Sequence, residues 1–202
     1  MTRCLVTDRR RLCPDADSFA AARRCLVEQA RLAAAAGVDL IHIRERDLEG
    51  ASLAELVSDL VAVTRGSATR VVVNDRIDVA LSSGADGVHL RGDSVSVAAA
   101  RRLLPPPFLV GRSVHTVQEA SAASGADYLI AGSVFPSASK STGPGAAELL
   151  GVDGLRAIVR ATAVPVLAIG GITLDRIAEV LAAGAAGIAA IGLFIDSLKP
   201  AS

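Results

Sequence analysis

Aromatic side chains are nearly absent from this chain, at 2% of its 202 residues. So few rings leave little for bases to stack on, which argues against single-stranded nucleic acid as a ligand. Neither sign of charge is in excess, since Lys plus Arg and Asp plus Glu each number 21. With a pI of about 6.8 there is no global field to gather nucleic acid or an anionic membrane, and a small ligand is the expected partner. Cysteine is scarce and odd in number. Cys4, Cys13 and Cys25 all fall in the N-terminal part, without metal-ligand spacing to each other or to His42, His89 and His115. They read as reduced thiols, small buried or incidental side chains. Met1 is followed by Arg3, Asp8 and an arginine cluster instead of an apolar signal core, so secretion is not expected and a cytoplasmic location is. Val180 to Ile195 is uncharged, but it is Gly-rich and shorter than a bilayer-spanning helix needs, and reads as buried elements of a globular core. Nothing resembles an inter-domain linker. Hydrophobic residues make up 51% of the chain, enough for the core of a single domain over residues 1–202.

What is present is a repeated βα unit, most compact in VVVNDRIDVALSSGADGVHLRGDS, from Val71 to Ser94. The β-branched run Val71 to Val73 suits a strand buried on both faces, and it stops at Asn74 and Asp75. Ile77, Val79, Ala80 and Leu81 carry helical spacing, Gly84 stops the helix, and Gly87 to Leu90 form a second strand ending in Arg91 and Asp93. Parallel neighbours place their C-terminal ends on one rim, so Asp75 and Asp93 are expected to face a common cleft.

Further strands are expected at Cys4 to Thr7, Val38 to Ile43, from Phe108, at Tyr128 to Ala131, Pro165 to Ile169 and Gly187 to Ile191, with helical patterns between them. Alternation puts Leu40, His42, Arg44 and Arg46 on one side of the second strand, and Leu109, Gly111, Ser113 and His115 on one side of the fifth. Eight strands alternating with helices predict an α/β protein, a single (β/α)8 TIM barrel with a short final helix. An open doubly wound sheet is the alternative, but it would expose two edges, and no strand carries a blunting Lys or Pro in its middle. Closure at the short last helix is expected to lean on a partner subunit, in a homodimer or higher homo-oligomer.

Polar residues gather at the strand ends. Gly170 and Gly171 after strand seven, and Ile191 and Gly192 after strand eight, stand where barrels cradle a phosphate on backbone N–H groups; tight turns alone would also call for glycine. Arg44, Arg46, Asn74, Asp75, Asp93 and Lys140 combine cations with two carboxylates, as an anionic leaving group and Mg²⁺ require; ion pairs bracing the rim are the bland alternative. His89 reads as a neutral core histidine. His115, at or past the tip of strand five, could exchange protons with a ligand or simply cap the next helix. The Ser-, Gly- and Pro-rich stretch Gly132 to Gly145, which holds Lys140, is the longest irregular piece.

The runs LVTD (Leu5 to Asp8), HIRERDL (His42 to Leu48), NDR (Asn74 to Arg76), GADGVHL (Gly84 to Leu90), GRSVHT (Gly111 to Thr116), GADY (Gly125 to Tyr128), VFPSASK (Val134 to Lys140) and VPVLAIGGI (Val164 to Ile172) occur in order along nearly the whole chain. Together they resemble the thiamine phosphate synthase/TenI family. For a synthase the resemblance implies thiamine biosynthesis by a transferase that couples hydroxymethylpyrimidine pyrophosphate to thiazole phosphate and releases pyrophosphate. It implies that Arg44, Asn74 and Lys140 hold the pyrophosphate, Asp75 ligates Mg²⁺ and Ser113 lines the pyrimidine pocket. Ser137 and Ser139 stand where the family has threonines, and Gly171, Ile191 and Gly192 would hold the thiazole phosphate.

Four positions depart from the synthase pattern. His42 and Arg46 replace Gln and Lys, Ser94 replaces a second metal Asp for which the adjacent Asp93 is the candidate substitute, and Gly192 replaces a Ser. The HIRER and GRSVH runs look more like TenI, a thiazole tautomerase, for which the resemblance implies a proton-shuttling His115 and no metal cofactor. A catalytically silent barrel that binds thiazole or thiamine phosphate is the third possibility. The synthase is favoured because Asn74, Asp75 and the Ser137, Ser139, Lys140 group would be idle in a tautomerase.

Overall fold

A computed structural model describes residues 1–104, 106–137 and 149–199. Its strands are β1 (Thr2–Val6), β2 (Leu40–Ile43), β3 (Arg70–Asn74), β4 (Gly87–Leu90), β5 (Leu109–Val114), β6 (Tyr128–Gly132), β7 (Val166–Ile169) and β8 (Gly187–Ala190). They follow one another in chain order around a closed barrel, and every register observed is parallel. The expected (β/α)8 architecture is therefore the one found. Helices α1 (Arg9–Leu12), α2 (Phe19–Ala35), α3 (Gly50–Thr64), α4 (Ile77–Ser83), α5 (Val97–Leu103), α6 (Val117–Ala122), α7 (Gly151–Arg160), α8 (Ile177–Ala182, entered through a 3-10 turn at Leu174–Arg176) and the short α9 (Gly192–Ser197) complete it. The uncharged stretch Val180 to Ile195 is divided among α8, β8 and α9, and no helix of the described residues is long and apolar enough to cross a membrane.

Two compact units divide the chain. One holds Arg3–His89, Pro106–Leu109 and the segment from Ile191; the other holds Met1–Thr2, the segment from Leu90, and Val110–Ala190. In the first unit β2 is buried along its whole length, as its apolar residues require, each buried Leu or Ile contributing about 1.5–3 kcal/mol. The 17 residues of α2 are capped by the Ser18 hydroxyl, which accepts from the Ala21 N–H at 3.2 Å, and α2 buries Ala22, Leu26, Gln29, Ala30 and Ala33 along one stripe. Arg23 ties α2 to α3 through Glu55 and Asp59, both at 2.6 Å. Gly84 ends α4 in the left-handed region, at φ 74°.

Two features of this unit escaped the sequence. The four-residue helix α1 follows β1, capped by Asp8, whose Oδ1 accepts from the Arg11 N–H at 3.1 Å. The cysteines were expected to be reduced; instead Cys13 and Cys25 form a disulfide joining the end of α1 to α2, with Cα atoms 6.6 Å apart, and only Cys4 is free. The physical reason is proximity: α1 and the loop after it fold back onto the second turn of α2, within the reach of a disulfide. Burial in the β1 core pushes the Cys4 thiol well above its ordinary range, so it is inert.

In the second unit, β6 is wholly buried and pairs with β7 from Leu129↔Val166 to Gly132↔Ile169. Helix α6 starts at Thr116, whose hydroxyl accepts from the Glu119 N–H at 3.2 Å.

Candidate active site

Strand register brings the first group together. His42 pairs with Val72, two residues before Asn74, and Asn74 pairs with His89. Side chains two apart on a strand share a side, so His42, Asn74 and His89 line one side at the C-terminal ends of β2, β3 and β4. His42 is 4% exposed and His89 1%. Their ring centroids lie 4.4 Å apart, and His42 Nε2 is 3.2 Å from Asn74 Oδ1. Burial, with Arg44 nearby adding to it, pushes His42 down to about 3, so the imidazole stays neutral although the Asn74 contact opposes the shift.

Past the end of β2 the run Arg44–Glu45–Arg46–Asp47 sorts by parity. Glu45 is buried and takes Arg9, which donates its backbone N–H at 3.1 Å and Nη1 at 2.7 Å. Asp47 takes the fork of the same guanidinium at 2.7 and 2.6 Å and a bond from Arg10 at 2.7 Å, which holds its carboxyl down at about 2. Arg44 and Arg46 are exposed, and among the described residues neither side chain makes an ion pair. The backbone of Arg44 is held in place by its N–H, which donates to the buried Thr7 Oγ1 at 2.9 Å. The acidic neighbours are thus engaged by α1, and Arg44 and Arg46 are left without an ion pair among the described residues.

Asp75 has φ 63°, the only non-glycine residue with positive φ among those described. Its N–H donates to the His89 carbonyl at 2.9 Å, and the Arg76 N–H reaches the Asn74 carbonyl at 2.8 Å, so the chain turns sharply at the strand tip. Asp tolerates this conformation better than most residues, and backbone strain of this kind concentrates at functional sites. Also in this unit, a Cβ added to Gly192 would lie 3.3 Å from Arg11 Nη2, so α1 carries a cation to the start of α9.

The second unit holds the other candidates. Asp93 receives the Arg91 guanidinium, with Nε to Oδ1 at 2.8 Å and Nη2 on Oδ2. Arg112 pins the same turn by donating to the carbonyls of Val95 and Gly92 at 2.6 and 2.8 Å. Ser113 sits near the end of β5, half-buried. His115 lies one residue past β5 and is half exposed; its N–H donates to Glu119 Oε2, which also stands 3.3 Å from Nδ1. That carboxylate therefore caps α6 and faces the imidazole at once.

Gly170 and Gly171 adopt φ 100° and 63°, and a Cβ would fall 2.6 Å from Ser133 Cβ at the first and 2.3 Å from the Pro136 carbonyl oxygen at the second. Packing of the segment after β6 therefore demands glycine at both places, whatever else they bind. Arg176 braces this turn by donating to the Gly171 carbonyl at 2.9 Å while stacking 4.6 Å from the Phe135 ring centre. Ser137 is half-buried at the end of the same segment, whereas Ser139 and Lys140 lie outside the described residues.

Sequence reasoning missed the supporting set Thr7, Arg9, Glu45 and Asp47, and Arg11 above Gly192. The signal was the alternation of Arg44 and Arg46 with acids, which says that one partner of each adjacent pair must face a different neighbour.

Polar side chains placed at the C-terminal ends of parallel strands, above a buried apolar core, define the enzyme class of (β/α)8 barrels. The profile of the thiamine monophosphate synthase family matches residues 11–194. The thiamine-phosphate synthase of Methanoregula boonei is 46% identical over 175 residues, 85% of this chain and 79% of that one. That of Roseiflexus castenholzii is 37% identical over 97% of this chain and 82% of its own. Among solved structures, a thiamine phosphate pyrophosphorylase from Pyrococcus furiosus superposes with a TM-score of 0.78 at 33% identity, covering 98% of this chain and 97% of that one. A 3-hexulose-6-phosphate synthase shares the fold alone, with a TM-score of 0.68 at 19% identity. The chain belongs to the thiamine monophosphate synthase family.

Proposed function

We propose that this protein is a thiamine-phosphate synthase of thiamine biosynthesis, coupling hydroxymethylpyrimidine pyrophosphate with thiazole phosphate within one domain spanning residues 1–202. The bond from the pyrimidine methylene carbon to the pyrophosphate oxygen breaks with its electron pair leaving on pyrophosphate. The thiazole nitrogen then donates its lone pair to the carbon cation, so no proton moves. Catalysis of such a step consists of holding negative charge as it develops on the leaving group. Arg44 is given that task, with Asn74, Arg46, Ser137, Ser139 and Lys140 around the pyrophosphate. Ser113 lines the pyrimidine pocket, and the backbone at Gly170, Gly171, Ile191 and Gly192 binds the thiazole phosphate. The observation that carries the reading is an Arg44 anchored through its backbone to Thr7 yet without an ion pair among the described residues.

Mg²⁺ belongs to the same reading. No cluster of three or more His, Cys, Asp or Glu able to hold an ion occurs among the described residues. Mg²⁺ needs none, since one or two carboxylates and substrate phosphates suffice, so Asp75 fits as its protein ligand. Asp93 fits only if it gives up Arg91. The ion would neutralise charge on the departing pyrophosphate.

Small phosphorylated substrates, a homo-oligomeric state and a cytoplasmic location complete the proposal. Light scattering of the purified protein measures the oligomeric state. In a reducing cytoplasm the Cys13–Cys25 pair would be open.

A tautomerase reading has one observation of its own: Glu119 Oε2 stands 3.3 Å from His115 Nδ1 and orients the ring. One experiment separates the readings. Incubation with both substrates, with and without Mg²⁺, is expected to release pyrophosphate and thiamine phosphate only with the metal. Isomerisation of the thiazole carboxylate phosphate that disappears in His115→Ala, with no coupling, would replace the synthase by the tautomerase. Ligand binding without either activity would leave a silent barrel.

A further inference from the structure

The Cys13–Cys25 bond ties the residue that ends α1 to the second turn of α2. Both cysteines are half-buried and within reach of a small thiol reagent, whereas Cys4 is enclosed in β1 and inert. A helix of four residues has no stability of its own, so the place of α1 is set by what it is tied to. Its ties are the Asp8 cap at one end, the disulfide at the other, the buried Leu12 between them, and the bonds that Arg9 and Arg10 make beyond the end of β2.

Those last bonds bear on the rim, because Glu45 and Asp47 flank Arg46, and Arg44 directly precedes Glu45. The two acids differ in how firmly they are held. Only 3% of the Glu45 side chain is exposed, and a buried carboxylate keeps its cation. Asp47 is 45% exposed, and in water it exchanges partners at little cost. While α1 is seated, Asp47 is engaged by Arg9 and Arg10 and does not neutralise the arginines beside it.

We propose that Cys13 and Cys25 form a redox-responsive site that sets the charge of the rim: closing the bond seats α1 and draws Asp47 away from Arg44 and Arg46, and opening it returns Asp47 to them and weakens their hold on an anion. The inference rests on the synthase reading, in which that anion is the pyrophosphate of the substrate. Closure takes one electron and one proton from each thiol. A small-molecule disulfide accepts both pairs and leaves as two thiols, and a dithiol reverses the exchange by forming its own disulfide.

The test compares the full wild-type chain in oxidised glutathione and in dithiothreitol, with mass spectrometry to verify each state. Amide hydrogen exchange over residues 9–13 should be about ten-fold or more faster in the reduced protein. The Kd of inorganic pyrophosphate, measured by calorimetry with Mg²⁺ present, should rise about two- to five-fold on reduction, the range of one exposed ion pair. KM for the pyrimidine pyrophosphate should rise by the same factor, with kcat changed less. Asp47→Asn removes the competing charge, so its pyrophosphate affinity should be equal in the two buffers while its α1 exchange still responds, which a merely structural bond would not produce. Cys25→Ser should match the reduced wild type in both.

Equal exchange of α1 in the two buffers overturns the switch. So does a pyrophosphate affinity that ignores the redox state, or one that still follows it in Asp47→Asn. The wild-type comparison decides this even if Cys25→Ser fails to fold. Redox-dependent pyrophosphate binding without coupling sinks the synthase reading and leaves the switch standing, whereas coupling with no redox dependence sinks the switch alone. A chain that binds no pyrophosphate in either buffer overturns both.

Discussion

Asp39 and Asp86 stand just before β2 and β4, and each lends its carboxylate to the start of a neighbouring strand. Asp39 Oδ2 accepts from the Arg3 N–H at 2.7 Å, and Asp86 accepts from the Val71 N–H and from Arg70, both at 2.8 Å. Past the other end of β2, Arg44 and Arg46 carry charges that no described carboxylate answers. The carboxylates before these strands are thus saturated, whereas Arg44 and Arg46 after β2 make no ion pair among the described residues. Charges satisfied by backbone N–H groups stabilise the barrel; the charges without a described partner are the ones proposed above to meet the pyrophosphate. The second unit repeats the saturated pattern, where Asp127 accepts from the Val110 N–H at 2.6 Å. The GAD runs that make the family resemblance vivid are therefore braces, not chemistry.

The contrast breaks most visibly at Arg44. Arg44→Ala should lower kcat/KM for coupling by about 100-fold or more while the melting temperature stays within about 2 °C, since removing a cation from a developing anion costs several kcal/mol in the transition state alone. A large loss of stability would mean that Arg44 braces the rim after all.

Opening the Cys13–Cys25 bond tests whether α1 supports the poised end. The bond closes a loop with a separation of 12 residues, worth about 3 kcal/mol of unfolded-state entropy. Cys13→Ser, or dithiothreitol on the wild type, should lower the denaturant midpoint accordingly. Equal midpoints for the oxidised and reduced protein would show that the bond adds nothing.

Asp86→Asn is the converse of the Arg44 variant. It should cost about 1–3 kcal/mol in urea unfolding with coupling per folded molecule unchanged, because the lost charge-assisted bonds serve only the strand start.

The smallest effect is a slope. His42 is pushed from its ordinary 6.5 to about 3, so between those values the unfolded chain binds a proton that the folded chain refuses. Stability should therefore rise with pH across that window and fall on acidification through it. His42→Gln should flatten this part of the profile. Asp47 and Asp78, both held near 2 by arginine partners, act in the next window down, since their stabilisation is complete above the usual carboxylate range and is lost as pH falls toward 2.

Much of the barrel was legible because each element obeys a local rule. Val71 to Val73 reads as a doubly buried strand, and Gly84 reads as the end of α4 because a left-handed residue was needed there. Alternation was also expected to put His42, Arg44 and Arg46 on one side, but β2 ends at Ile43 and both arginines lie beyond it. The disulfide was not legible, since three cysteines without a recognisable spacing say nothing about where α1 folds. Nor was the left-handed turn at Asp75, which a sequence shows only as an acid after a strand. Ser139 and Lys140 were named for the pyrophosphate and lie outside the described residues.

Periodicity, helix stops and the placing of polar residues after apolar runs determined the barrel and the residues at its strand ends, because backbone geometry imposes those patterns within a few positions of chain. Partnership was decided only in three dimensions. Which of four neighbouring charges is spent on Arg9, and which imidazole nitrogen is left without a bond, depends on side chains that meet from separate elements, and the order of residues along a chain does not record such meetings.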